Sequence, residues 1–132
     1  MKLMKTALTA AIATAMGLGS AQAEISNGEV KIGYLADMSG IYRDLGGPNG
    51  LTALRMAVED FGGSVNGAKI EIVSADDRNS PDVASSTVRQ WIERDNVDMV
   101  QGLVASSVTI AATRIMNGTD TLGLVPLRQL VS

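Results

Sequence analysis

The chain has no cysteine and no histidine. The first absence rules out disulfides, which hold together many small exported domains, so this one must rely on its packed core. The second removes the usual general base near neutral pH and the commonest metal ligand, and together the two leave no ligand set for zinc. Aromatics number only four, Tyr34, Tyr42, Phe61 and Trp91, which puts the burden of the core on Val, Ile, Leu, Ala and Met. There is no run of basic residues. With 14 acidic against 11 basic side chains, the surface argues against nucleic acid and against anionic membrane as partners. Neither a G-x-G-x-x-G nor a P-loop spacing occurs.

What is present begins with a leader. Met1 to Lys5 is short and basic, Thr6 to Gly19 carries no charge, and Ser20-Ala21-Gln22-Ala23 places small residues where a signal peptidase reads them. This is the three-part layout of a cleaved secretory signal. The apolar part is too short and too diluted by threonine for a bilayer span, which needs ~20 apolar residues. Residues 1–23 are therefore read as a signal peptide, and removing Lys2 and Lys5 takes the net charge from −3 to about −5. Residues 24–132 suit one small domain.

After the leader, strand and helix patterns alternate. Val30 to Leu35 is apolar and β-branched enough for a buried strand. Residues 37–50 read as a polar loop, because four glycines and a proline exclude a regular element. Leu51, Leu54, Val58 and Phe61 mark one apolar face of a helix that Gly62-Gly63 ends. Asn66-Gly67 turns into a second strand over residues 69–73. Asp76 and Asp77 follow as solvated loop charges, and Ser80-Pro81-Asp82 opens a second helix with a cap, an N1 proline and a dipole-matched acid. Ala84, Val88, Trp91 and Ile92 share its inner face. Residues 97–104 read as a third strand, after which Ser106 or Ser107 caps a third helix with Val108, Ala111, Ala112 and Ile115 inward. Leu122 to Val125 offers a short fourth strand, checked at once by Pro126. The alternation predicts an α/β fold, a parallel sheet with flanking helices joined by right-handed crossovers, with the first strand between the second and third.

In such a sheet, ligands bind beyond the carboxyl ends of the strands where strand order reverses. Two loops bound that crevice, residues 37–50 and residues 104–107. The third helix presents unpaired amides and the positive end of its dipole there, so Ala105, Ser106 and Ser107 are candidates to hold a carboxylate without arginine. Plain helix capping by serine is the competing reading. Ser39 and Tyr42 are the candidates from the first loop, Tyr42 either lying against a ligand or covering the loop. No residue is expected to be catalytic, and no cofactor or metal is expected. Asn117-Gly118-Thr119 matches a glycosylation sequon, a pattern short enough to arise by chance.

The ordered set of pieces resembles the start of a mature periplasmic solute-binding protein of ABC transporters, of the branched-chain amino acid/amide type. The residues that carry the likeness are Val30 to Leu35 with Met38-Ser39-Gly40, Tyr42 and Gly46-Gly47, then Ala53, Met56-Ala57, Asn66-Gly67, Ile70 to Val73 with Asp76-Asp77, Ala84 to Val88, and Gly102 to Ser107. The resemblance implies a partial N-terminal lobe of a type I periplasmic binding protein fold over residues 24–117. It implies a periplasmic location, a small amino-acid-like ligand and an ABC permease as partner. It also implies that the Ser106-Ser107 turn holds the ligand's carboxylate while residues near Tyr42 line the cleft. The likeness fades after Met116, and the family is more than twice as long, so residues 118–132 read as a divergent or truncated tail and the chain as a fragment. The rival readings are a small exported α/β enzyme, or a sensor lobe, binding an anion at the Ser106-Ser107 helix end.

Overall fold

The computed structural model describes residues 28–125. The leader read over residues 1–23 and the tail from Pro126 lie outside the described residues. Among the described residues, no helix is long and apolar enough to cross a membrane.

The chain runs β1 (Glu29–Ala36), α1 (Arg43–Gly46), α2 (Pro48–Phe61), β2 (Ser64–Val65), β3 (Ala68–Asp76), α3 (Pro81–Glu93), β4 (Met99–Gly102), α4 (Ser106–Met116) and β5 (Leu122–Leu124). The five strands form one sheet in the order β2-β3-β1-β4-β5. All pairs are parallel except the β2–β3 hairpin. The expected placement of the first strand between the second and third holds, and strand order reverses beside it.

Alternation along β1 divides the two faces of the sheet. Leu35 joins Ala84, Val88, Trp91, Val97, Val100, Leu103, Val108, Ala112 and Met116 in the core between the sheet and helices α3 and α4. Gly33 lies on this face because a methyl there would come within 2.6 Å of the Trp91 ring. The Trp91 indole occupies the space over Gly33, so the tryptophan is core, as its helical spacing predicts. Tyr34 faces the other way, toward α2.

Helix α3 starts as its sequence dictates. Ser80 Oγ accepts from the Val83 amide at 3.4 Å, and Pro81 takes the first position. Helix α2 begins earlier than expected: Pro48 is its first residue, so Asn49 and Gly50 are helical rather than loop. Gly62 ends it at φ 102°. None of its residues is buried. Leu51, Leu54 and Val58 are half-covered, but Phe61 stays 65% exposed against its expected inward place.

The third strand is shorter than the apolar run that suggested it. Gly102 at φ 106° and Leu103 at φ 36° break the ladder. Leu122–Leu124 does form a strand, paired parallel with Met99–Gln101. Proline directly after it is tolerated because β5 is the outermost strand among the described residues.

Candidate functional site

Parallel pairing brings the loops to one edge. Leu35 pairs with Gly102 and Ala36 with Asp76, so the segments after β1, β3 and β4 leave the sheet side by side. The Leu103 amide donates to Leu35 O at 2.7 Å and the Asp77 amide to Ala36 O at 3.0 Å. The first loop and the turn before α4 then touch: a methyl on Gly46 would come within 2.6 Å of Val104 Cγ2.

Neither serine caps α4. Ala105 is the N-cap, extended at φ −87°, ψ 135°, and Ser106 and Ser107 already have helical backbone. The left-handed Gly102-Leu103 turn redirects the chain early enough for the helix to start one residue sooner than a serine cap requires. The consequence is chemical. Thr109 N–H closes the first helical bond, on Ala105 O at 2.8 Å, so the amides of Ser106, Ser107 and Val108 have no helical partner. No side chain caps them. Both serines are exposed, and among the described residues their hydroxyls make no hydrogen bond. Ala105 itself is buried in the core and offers only backbone.

The first loop is organised by a residue the sequence pattern left aside. Asp37 is 2% exposed. Its carboxylate accepts from the amides of Ser39 at 3.3 Å, Gly40 at 2.6 Å and Tyr42 at 3.1 Å. An aspartate directly after a buried strand and before Ser-Gly is the signal of such an Asx-type turn. Tyr42, so oriented, is half-buried and packs against the core. Ser39 turns its hydroxyl to Asp76 Oδ2 at 2.7 Å, toward the β3 side of the edge. Tyr42 and Ala105 therefore share one packed cluster, while the Ser39 hydroxyl is engaged on the opposite flank of β1.

Asp76 and Asp77 are not solvated loop charges. Asp77 is 1% exposed, and Asp76 is half-buried, accepting from the amides of Met38 at 3.0 Å and Arg78 at 2.9 Å as well as from Ser39. One carboxylate oxygen each from Asp37, Asp76 and Asp77 lies within 4.8 Å of the others, a spacing that suits a cation, while loop amides bond to all three carboxylates and the Ser39 hydroxyl to Asp76. Burial pulls the Asp76 carboxyl up, and the bonds from Met38, Ser39 and Arg78 outweigh it, leaving its pKa below the ordinary value. Burial pushes Asp77 up despite the bond from Asn79, and the charges of Asp37 and Asp76 add to the shift. The cluster is the frame that holds two loops together.

Between the loops lies an open groove of about 480 Å³, bounded by Tyr34, Leu45, Gly46, Val104 and Leu124. Leu45, 69% exposed on the first loop, was not singled out from sequence. Its signal is an apolar side chain in a stretch of glycine and charge. None of Ser39, Tyr42, Ala105, Ser106 and Ser107 lines this groove; it reaches the α4 turn through Gly102 and Val104, two residues before the first unpaired amide.

A profile of the family described as periplasmic binding protein matches residues 29–129. The chain belongs to the periplasmic binding protein family. Among solved structures it is similar to a periplasmic binding protein from Burkholderia mallei, with 40% identity and a TM-score of 0.71 over 74% of this chain and 26% of that one. It is also similar to a branched chain amino acid ABC transporter periplasmic ligand-binding protein from Burkholderia xenovorans LB400, with 35% identity and a TM-score of 0.70 over 74% and 26%. A third is a solute binding protein of an ABC transporter from R. palustris in complex with benzoate, with 30% identity and a TM-score of 0.66 over 74% and 27%. No curated protein gives a significant match. The chain therefore spans about a quarter of the length of these relatives. The family is one of periplasmic solute-binding proteins rather than enzymes, and the sheet with its flanking helices is part of the type I periplasmic binding protein fold.

Proposed function

We propose that this chain is part of the first ligand-binding lobe of an extracytoplasmic receptor for an ABC importer. Its residues 1–23 are the export signal, and its ligand is an amino acid or a small aromatic acid. The ligand's carboxylate sits on the amides of Ser106, Ser107 and Val108 and on the serine hydroxyls. Its apolar body lies in the trough of Leu45 and Val104, with Tyr42 and Ser39 framing the first loop. No catalytic step is involved. A second lobe closes on the solute, and a membrane permease receives it. The observation that carries this reading is the approach of Gly46 in the first loop to Val104, the residue before the N-cap of an α4 that has no side-chain cap. A relative with benzoate bound supports an aromatic acid, and a relative named for branched-chain amino acids supports leucine.

The test is titration of leucine and of benzoate into the isotope-labelled chain. One of them should move the amide resonances of Ser106, Ser107 and Val108 before those of α2. If neither ligand moves these amides, the reading fails. In a receptor carrying both lobes, Ser107→Ala is expected to weaken the ligand by ~1–3 kcal/mol, the scale of an unmet buried hydrogen bond, measured by calorimetry.

A further inference from the structure

The turn that aims the α4 amides contains a backbone conformation that needs support. Leu103 sits at φ 36°, a region that a bulky side chain rarely adopts and that the surrounding structure must impose. Its side chain is fully buried. Its neighbour Gly102 is itself left-handed, and a methyl there would collide with the Leu35 backbone. Two bonds clamp the Leu103 peptide units. Leu103 N–H donates to Leu35 O at 2.7 Å, which ties the turn to β1. On the other side, the single hydroxyl proton of Thr109 is shared between Leu103 O at 2.8 Å and Ala105 O at 2.9 Å. Thr109 is 7% exposed, one turn inside α4. A hydroxyl reaching back four residues to a carbonyl is ordinary on a helix. Reaching a second carbonyl six residues back, beyond the helix start, is not, and here that carbonyl belongs to the left-handed residue.

We propose that Thr109 is a positioning residue for the carboxylate site. Its buried hydroxyl, bridging Leu103 O and Ala105 O, holds the left-handed Leu103 turn so that the Ser106, Ser107 and Val108 amides converge on one anion. Thr109 does not touch the ligand. It acts through the two carbonyls that bracket Val104, the residue that also contacts Gly46 of the first loop. Without the hydroxyl, Leu103 relaxes toward negative φ, and the amides of Ser106 and Ser107 splay. This inference rests on the reading of the α4 N-terminus as the carboxylate site.

The experiment compares the whole chain with Thr109→Val, which keeps the shape and loses the hydroxyl, and with Thr109→Ser, which keeps the hydroxyl. Sodium benzoate is the probe, and the readout is the initial slope of the Ser106 and Ser107 amide shifts against its concentration. Thr113→Val is the control, since that hydroxyl bonds Thr109 O at 2.8 Å with the same chemistry one turn further along. The slope should fall about tenfold in Thr109→Val, the loss that one misplaced hydrogen bond produces. It should remain within about twofold in Thr109→Ser and Thr113→Val. The Leu103 amide-to-α-proton coupling should change only in Thr109→Val. Equal slopes in the original chain and Thr109→Val, equal losses in Thr109→Val and Thr113→Val, or a Thr109→Val chain that no longer folds, would each overturn the positioning role. A benzoate titration that moves no α4 amide in the original chain sinks the carboxylate reading itself, a different result from an unchanged slope in the variant.

Discussion

Gly50→Ala sets two magnitudes against each other. Gly50 is the third residue of α2, and glycine to alanine in a helix ordinarily gains up to about 1 kcal/mol. Here the methyl would lie 3.0 Å from Tyr34 Cζ and closer still to the hydroxyl oxygen. That hydroxyl donates to Gly46 O, and the ring is 6% exposed, so it has little room to retreat. Forcing a methyl into a filled site costs about 1–3 kcal/mol, and breaking the buried Tyr34–Gly46 bond costs a further ~1–3 kcal/mol. Set against the helix gain, Gly50→Ala should destabilise the chain by about 1–5 kcal/mol. Urea unfolding followed by Trp91, the one tryptophan, measures it. The cycle with Tyr34→Phe isolates the cause. Removing the phenol oxygen takes away most of the collision, so Gly50→Ala should cost much less in that background. A midpoint that rises on Gly50→Ala, or a cost independent of Tyr34→Phe, refutes the argument.

Two further outcomes follow from the loops and the sheet edge. Asp77 is raised above its ordinary 3.8, so its protonated form is favoured on folding. Its contribution to stability is complete below the unfolded value and is lost as pH rises through the folded one. Asp77→Asn keeps an oxygen for the Asn79 amide at 2.7 Å and should gain stability over the original chain across that window, read from urea midpoints between pH 3 and 7. A gap that stays constant with pH contradicts the assignment. Asp76, held low, works in the opposite sense: its contribution is present above 3.8 and is lost as pH falls through its lowered value. On β5, the outermost strand among the described residues, Leu122 and Leu124 are 62% and 53% exposed and none of its three residues is charged. Such an edge invites pairing between chains. Leu122→Lys with Leu124→Lys should suppress association seen by light scattering, and scattering equal to that of the original chain would remove this edge as its cause.

Most of the fold was readable because it depends on local pattern. The apolar run of β1, the Ser80-Pro81-Asp82 start of α3 and the spacing of Ala84, Val88 and Trp91 each specify an element from neighbours in sequence. What escaped depends on partners far along the chain. Asp76 reads as a surface charge until the Met38 amide, 38 residues away, is placed against it. Ser106 and Ser107 read as caps until Leu103 turns left-handed, a conformation its side chain does not announce. Leu51, Leu54, Val58 and Phe61 show the right face of α2, but periodicity says nothing about whether anything covers that face. The Leu122 to Val125 segment stayed ambiguous because Pro126 opposes a strand anywhere except at an edge, and edge position is a tertiary property.

The two faces of the sheet are covered unequally by their helices. Leu35, Val88, Trp91, Val100, Leu103 and Val108 are buried together under α3 and α4, whereas α2 on the other face buries none of its residues. Local opening costs least where few apolar contacts must break, so α2 and β5 are the parts that loosen first. The α4 turn is anchored from the sealed side: Leu103 and Val108 by their side chains, Ala105 by its burial, and Thr109 by its bonds to Leu103 O and Ala105 O. Asp37 ties the first loop directly to the end of β1, the central strand. Both halves of the candidate site are thus attached to the side packed by α3 and α4, and the groove reaches the α2 side through Tyr34 and Gly50. In the receptor proposed above, this division sets the carboxylate against the anchored turn and leaves the variable part of the solute to the side whose helix buries none of its residues.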